Sequence, residues 1–258
     1  MSWKRSARGD FQRAETVRLP YTDRTEAGRV LAERLVPLDL AGAAVLALPR
    51  GGVPVGYEVA RRLGSRLDVL VTRKIGYPPQ PELGVGAIAE GGSPVFDGAL
   101  LARLGLREDD LADTVAAERA ELDRRVAAYR GGRPLPEVAG RAVIVVDDGL
   151  ATGGTARAAV RAMRERGPSR LVLAVPVGAA ETVHALEAEV DDIVVPAAPW
   201  EFRAVGQWYR DFEQLTDADV RAWLERAARG TDGGPGGGPG GGAGGGPDGA
   251  ADGGGGPV

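Results

Sequence analysis

The chain has 258 residues, a formal net charge of −4 and no cysteine. This composition excludes disulfide bonds and thiol catalysis, and it shows no broad basic field of the kind that indicates a nucleic-acid partner. No stretch is long and apolar enough to cross a bilayer, and the polar, basic segment over 1–10 does not resemble a signal peptide. We therefore expect a cytoplasmic protein with neither nucleic-acid nor membrane partners.

Helices and strands are predicted to alternate along most of the chain. In chain order they are a helix over 22–35 capped by Thr22, a strand over 43–48, a helix over 54–63, a strand over 67–72, a third strand or short hairpin within 84–97, a long charged helix over 107–130, a strand over 143–146, a helix ending at 166, a strand over 171–177, a helix over 181–189, a strand over 192–195 and a closing helix over 217–229. This alternation predicts an α/β fold with a doubly wound, mostly parallel sheet and helices on both faces.

The most specific pattern is the segment from Val143 to Thr155, VIVVDDGLATGGT. Its β-branched run predicts a strand buried on both faces, so Asp147 and Asp148 should follow at the carboxyl end of the sheet, where open α/β folds bind ligands. The small residues after them offer unhindered backbone N–H groups at a helix N-terminus, which suits a phosphate. The pattern therefore indicates a ligand with a phosphate and neighbouring hydroxyls, such as a ribose 5-phosphate.

This segment resembles the 5-phosphoribosyl-1-pyrophosphate (PRPP) motif of type I phosphoribosyltransferases, in which a hydrophobic strand and two acids precede a small-Thr-Gly-x-Thr loop. The resemblance implies that Asp147 and Asp148 contact the ribose hydroxyls. The 5-phosphate would then be held by the loop of Ala151, Thr152, Gly153, Gly154 and Thr155. Some 6-oxopurine transferases have an Asp at the position of Ala151, so the alanine argues against hypoxanthine or guanine as the acceptor.

Two more strand ends carry residues that suit a pyrophosphate. Gly51 and Gly52 let the backbone approach an anion closely, and Arg50 adds a forked donor, as in the pyrophosphate loop of the family. Arg73 and Lys74 form a cationic pair before a Gly-Pro segment that could close over the departing group. A plain strand-to-helix turn is the alternative for the Arg50 loop, and a solvated charge pair before a proline turn is the alternative for Arg73 and Lys74.

Aromatic residues crowd the segment after the last predicted strand. Family members stack a base on an aromatic ring in this region, so Trp200 and Phe202 are the expected base-binding residues. The other three aromatics, Trp208, Tyr209 and Phe212, are expected to hold the closing helix against the sheet.

The resemblance also implies a domain organisation. Residues 1–229 would form one phosphoribosyltransferase-like domain, with a helical insertion at about 98–131 and a small hood at about 197–215. The insertion could cover the site or form a homodimer contact. Residues 230–258 are nearly all Gly, Pro, Ala and Asp, so we predict a disordered tail.

The implied reaction moves ribosyl 5-phosphate from PRPP to a nitrogen acceptor, such as a nucleobase, and releases pyrophosphate. Asp147, Asp148, Arg73 and Lys74 are the expected catalytic residues. Mg²⁺ is the expected cofactor because the pyrophosphate-sugar chelates it. The alternative function is a non-catalytic PRPP- or nucleotide-sensing regulator with the same fold.

Overall fold

The computed structural model of the protein describes residues 17–231. The tail that we predict to be disordered lies outside these residues, except for 230 and 231, which continue the last helix. Within 17–231, the helices are all too short or too polar to cross a membrane.

Fifteen helices and strands follow one another along these residues. They are α1 (Arg24–Leu35), β1 (Ala44–Ala47), α2 (Gly52–Leu63), β2 (Leu67–Val69), β3 (Thr72–Tyr77), β4 (Gln80–Ala89), β5 (Val95–Phe96), α3 (Gly98–Leu104), α4 (Ala112–Arg130), β6 (Ala142–Val146), α5 (Gly154–Arg164), β7 (Arg170–Ala174), α6 (Ala180–Leu186), β8 (Asp192–Val194) and α7 (Asp217–Thr231). Short 3₁₀ turns lie at Val36–Leu38, Glu108–Leu111, Glu187–Glu189 and Val205–Trp208.

The main sheet has five strands in the order β2-β1-β6-β7-β8, and all its pairings are parallel. The chain leaves β1 for β2 on one side and later returns to place β6 on the other side. The strand order therefore reverses between β1 and β6, and the loops after these two strands border the crevice where such sheets bind ligands. The predicted doubly wound, mostly parallel sheet is confirmed.

Alternate residues of the central strands pack on opposite faces of this sheet, as the pleat requires. Leu46 and Val145 point to the cluster that includes α5, whereas Val45 and Ile144 point to the cluster that includes α1 and α2. All four side chains are buried. Burial on both faces explains why the sequence of β6 is a continuous apolar run rather than an alternating one.

A second, antiparallel sheet of β3, β4 and β5 corrects the prediction of one strand over 67–72. The main-sheet strand β2 ends at Val69, and Thr72 opens β3. Arg73 and Lys74 therefore lie within a β-hairpin strand rather than in a loop at a strand end. The apolar run over 69–71 does not reveal the change of sheet, because it stays buried from the end of β2 to the start of β3.

The helix predicted over 107–130 begins later, at Ala112, after a separate helix α3 and a 3₁₀ turn. Leu101, Leu111, Leu122 and Tyr129 are buried in one cluster with residues of β3 and β4. The region predicted as a helical insertion thus packs on the small sheet and on α7.

The N-terminal cap of α1 is Asp23, not Thr22 as predicted. The Asp23 carboxylate accepts a hydrogen bond from the Glu26 backbone N–H at 2.7 Å. The Thr22 backbone N–H donates to the Glu26 carboxylate, which completes a reciprocal pair of bonds at the helix start. An Asx cap one residue further along the chain satisfies the same orphan donors.

Candidate functional site

The loop after β1 crosses directly over the acids that follow β6. A Cβ atom at Gly51 would lie 1.8 Å from Asp148 Oδ2, and one at Gly52 would lie 2.7 Å from the Val146 carbonyl oxygen. No side chain fits at either position without a shift of its neighbours. The two predicted glycines therefore bring the Arg50 loop and the acidic pair together. The Pro49–Arg50 peptide bond, which lies between β1 and these glycines, is cis.

The segment after β7 holds the other side of the acidic loop. The Leu150 N–H donates to the Val177 carbonyl at 2.9 Å, and the Leu150 carbonyl accepts from the Ala179 N–H at 2.8 Å. The Thr182 hydroxyl donates to the Ala151 carbonyl at 2.6 Å. These bonds fix the path of the loop between the acids and α5.

The N-terminus of α5 presents free backbone donors. Gly153 adopts a left-handed conformation with φ of +74°, and its carbonyl accepts the first helical bond from the Arg157 N–H. Among the described residues, no acceptor pairs with the N–H groups of Gly154, Thr155 or Ala156. A Cβ at Gly154 would meet no atom within 4 Å, so this end of the helix is open. Free amides and the helix dipole together make it an anion site.

The two acids differ in their partners. Asp147 Oδ1 accepts from the backbone N–H of Asp148 at 2.9 Å, whereas Asp148 Oδ2 accepts from Arg24 Nε at 2.8 Å. Burial and then the neighbouring Asp148 carboxylate raise the pKa of Asp147 well above its ordinary value of 3.8. Burial also raises the pKa of Asp148, although the Arg24 guanidinium opposes that shift. Neither acid points into the apolar core, since both stay partly accessible.

Arg24 is a site residue that the sequence analysis missed. Its guanidinium lies over the Phe212 ring at 3.9 Å from the centroid, and Nη1 donates to the Glu213 carbonyl at 2.9 Å. The arginine thus joins α1, the hood and Asp148. The sequence does hold one signal for Arg24, which is a cation at the first residue of a helix. The helix dipole makes that position unfavourable for a positive charge.

The hood also contacts the acidic loop directly. The Tyr209 hydroxyl donates to the backbone carbonyl of Asp148, and Val205 packs against Gly149. The Tyr21 N–H donates to the Trp208 carbonyl, and the Tyr21 carbonyl accepts from the Arg210 N–H, so the N-terminal segment pairs with the hood. Trp208 and Tyr209 pack against this segment rather than against the closing helix, and Phe212 is 37% exposed, so the expected role of these three aromatics is corrected.

The predicted cations divide into two groups. Lys74 is exposed and near enough to Asp147 for its charge to oppose the rise in the pKa of that acid. Arg73 lies on the other side of β3, where Nε donates to Glu118 of α4 at 2.7 Å. Arg50 belongs to the loop at the acids, and its Nη1 lies 3.5 Å from Asp217 Oδ1 at the start of α7. The charge of Lys74 thus acts on the acids, whereas the side chains of Arg50 and Arg73 are paired with Asp217 and Glu118.

The two predicted base-binding residues lie in different surroundings. Trp200 is 98% exposed, whereas Phe202 packs against Trp208 with ring centroids 6.2 Å apart. Their role in binding a base stays a prediction.

The acidic pair suits a metal ion that arrives with its substrate. The described residues contain no group of three or more side chains that could hold a metal ion. Mg²⁺, however, is commonly bound through one or two carboxylates together with substrate phosphates. Asp147 and Asp148 beside the open α5 N-terminus fit that second mode.

The comparisons with known proteins agree with this geometry. The family model for the phosphoribosyl transferase domain matches residues 29–206, which include both loops at the sheet crevice and the α5 N-terminus. The chain belongs to the phosphoribosyl transferase family. The resemblance seen in the acidic segment is thereby confirmed.

Several family members share much of the sequence. The chain is 46% identical over 212 residues to a protein of Mycobacterium tuberculosis strain H37Rv named "Putative phosphoribosyl transferase", with 81% of this chain and 47% of that protein covered. The chain thus spans about half the length of that relative. A uracil phosphoribosyltransferase of Lactobacillus gasseri is 32% identical over 157 residues, which cover 57% of this chain and 70% of the relative.

A solved structure shows the same fold. The crystal structure of TT1426 from Thermus thermophilus is 44% identical in sequence and superposes with a TM-score of 0.69. The match covers 81% of this chain and 99% of the Thermus protein.

The raised pKa of Asp147 predicts how the Asp147→Asn variant responds to pH. Below the ordinary carboxyl pKa of 3.8, the acid is protonated in both folded and unfolded chains, so the variant should match the parent in stability. As the pH rises, the unfolded chain loses its proton first, and the folded parent loses stability until the pH passes the raised pKa. We expect Asp147→Asn to be the more stable protein at pH 8.

This prediction is checked by urea unfolding at several pH values from 3 to 8. Asp123→Asn, on the exposed side of α4, is the control for the loss of one acidic charge. A variant that is no more stable than its parent at pH 8 would contradict the assignment.

Proposed function

We propose that the protein transfers the ribosyl 5-phosphate group from PRPP to a nitrogen acceptor and releases pyrophosphate. The observation that carries this proposal is the arrangement of the acidic pair between an open helix N-terminus and a glycine loop. A sugar phosphate needs acceptors for its hydroxyls and donors for its phosphate, and the site offers both within one loop. Membership in the phosphoribosyl transferase family supports the same reaction.

The two halves of the loop would bind two parts of the sugar. The amides of Gly154, Thr155 and Ala156 would donate to the 5-phosphate, where the helix dipole favours negative charge. The carboxylates of Asp147 and Asp148 would accept hydrogen bonds from the ribose 2- and 3-hydroxyls. Anchored at both ends, the ribose would hold its C1 carbon in a fixed position for attack.

Breaking the bond from C1 to pyrophosphate leaves positive charge on the ribose ring and negative charge on the leaving group. The carboxylates of Asp147 and Asp148 would stabilise the ring, while Arg50 and Lys74 would stabilise the pyrophosphate. Asp147 and Asp148 are also the residues that would hold Mg²⁺ arriving with PRPP, and the ion would supply charge neutralisation to the pyrophosphate. Arg50 is paired with Asp217 and Arg73 with Glu118. Each arginine must therefore release its acid before its guanidinium can contact the pyrophosphate.

The acceptor would be a nucleobase, recognised beside the hood. Ala151 leaves no side-chain acid at the position where some 6-oxopurine transferases carry one, which favours an acceptor other than hypoxanthine or guanine. The similarity to the L. gasseri uracil phosphoribosyltransferase makes uracil the first base to test.

Arg24 would act as a positioning residue through Asp148. Its Nε bond orients the carboxylate and favours its ionised form, while its contacts with Phe212 and Glu213 hold the hood against the site. The pair is only slightly exposed, with 12% and 14% of the two side chains accessible, so water screens it weakly.

The first prediction of this proposal concerns Asp148→Asn. The amide keeps the size of the side chain but removes the charge that favours a positive ribose, so turnover should fall by about 100-fold or more while the fold survives. Pyrophosphate release is measured with PRPP, Mg²⁺ and a panel of uracil, adenine, orotate, xanthine and simple amines. Asp123→Asn is the matched control.

Two results of this assay would contradict the proposal. Undiminished turnover by Asp148→Asn would remove the role of the acid. Tight PRPP binding by the parent protein without pyrophosphate release on any acceptor would instead identify a sensor.

The second prediction concerns Arg24→Gln. We expect kcat/KM for PRPP to fall by about tenfold, mostly through KM, because the unpaired Asp148 carboxylate loses its orientation. Arg24→Lys should restore part of the loss, since it keeps the charge but not the forked donors. Arg29→Gln is the control, because Arg29 lies on the same helix and pairs with Glu58 instead. Equal effects of Arg24→Gln and Arg29→Gln on KM would refute the positioning role.

A further inference from the structure

A cleft of about 460 Å³ lies at the opposite end of the sheet from the acidic pair. It reaches Ala44 at the amino end of β1, whereas the Arg50 loop follows the carboxyl end of that strand. We propose that this cleft is a second binding site, for an organic anion in which a phosphate or similar oxyanion group is joined to an apolar body. The proposal does not depend on the transferase reaction.

The walls of the cleft are largely apolar. Leu67 of β2 and Leu224 of α7 line it, together with Pro134 and Pro136 from the segment between α4 and β6. Its volume is in the range of pockets that bind small organic ligands, which need apolar walls and a few placed polar groups. The body of a small molecule therefore fits the walls.

The polar groups of the cleft are mainly cationic. Arg66, Arg133 and Arg141 line it, and Asp68 is the only acid that lines it within residues 17–231. None of the three arginines has an ion-pair partner within residues 17–231. The other described lining residues carry no charge, so the cleft has an excess of positive charge that attracts an anion.

Two of these guanidinium groups are already held in place by backbone carbonyls. Arg133 Nε donates to the Arg130 carbonyl at 3.2 Å, and Arg141 Nη2 donates to the Gly42 carbonyl at 3.1 Å. Each guanidinium keeps further N–H donors for a ligand, because it has five in all. Side chains that are oriented before binding lose less entropy when an oxyanion arrives.

The described lining of the cleft sets three arginines against one acid, Asp68. The Asp68 carboxylate accepts from the adjacent Val69 N–H at 2.7 Å and makes no ion pair among the described residues. Burial raises the pKa of Asp68, against the opposing charges of Arg130, Arg133 and Arg66. The arginine donors thus face the cleft without a competing carboxylate bond.

The probe for this site is 8-anilinonaphthalene-1-sulfonate, an aromatic body with one oxyanion group. It is titrated into the full chain by fluorescence and calorimetry, beside its neutral analogue N-phenyl-1-naphthylamine. The parent protein should bind the sulfonate at one dominant site, and the double variant Arg66→Gln/Arg133→Gln should bind at least about tenfold more weakly. Arg103→Gln/Arg119→Gln, which removes two exposed arginines elsewhere, should bind as the parent does.

A second variant tests the same cleft independently, in case the double arginine variant does not fold. Ala228→Glu places a carboxylate at an exposed helical position on the cleft and should also weaken binding of the sulfonate. Asp148→Asn should leave binding unchanged, which separates this site from the proposed transferase site. The proposal is overturned if Ala228→Glu and the double arginine variant both bind like the parent. It is also overturned if the neutral analogue binds as tightly as the sulfonate.

Discussion

The close contact between two loops at the crevice of the sheet determines the rest of the site. Gly51 and Gly52 touch the acidic segment so closely that any Cβ atom there would collide with Asp148 or with the Val146 carbonyl. This contact is possible only because β1 and β6 are parallel neighbours at the point where the strand order reverses. The same contact brings Arg50, the acids and the free amides of α5 to one side of the protein.

That contact has a cost in stability. The partial burial of two adjacent carboxylates raises the pKa of both, so the folded chain is penalised for keeping them ionised at neutral pH. Arg24 offsets part of this penalty at Asp148, and the hood that carries Phe212 holds Arg24 in turn. The acids, α1 and the hood are therefore connected through Arg24, so a substitution in any one of them should affect the other two.

Features that depend on the local sequence pattern were predictable, whereas contacts between residues distant in the chain were not. The apolar run of β6, the acids and the small-residue loop were predictable, because strand burial and helix-end chemistry leave clear local signals. The partner of Asp148 was not, since nothing near Arg24 in the chain shows which residue it meets. The hairpin around Lys74 was missed because the apolar run of Val69, Leu70 and Val71 continues without a break from the end of β2 to the start of β3. The exposure of Trp200 was not predictable either, because an aromatic residue after a strand is suited equally to the core and to the wall of a binding site.

The affinity of Gly51→Ala for PRPP in the presence of Mg²⁺ tests this account most directly. The φ of −61° at Gly51 suits alanine, so the substitution acts only through the contact of its methyl group with Asp148. Calorimetry should show binding at least about tenfold weaker than that of the parent, while Gly98→Ala, where a methyl group meets no atom within 4 Å, should bind normally. Unchanged affinity in a folded Gly51→Ala protein would contradict the claim that the two loops form one sugar-phosphate site.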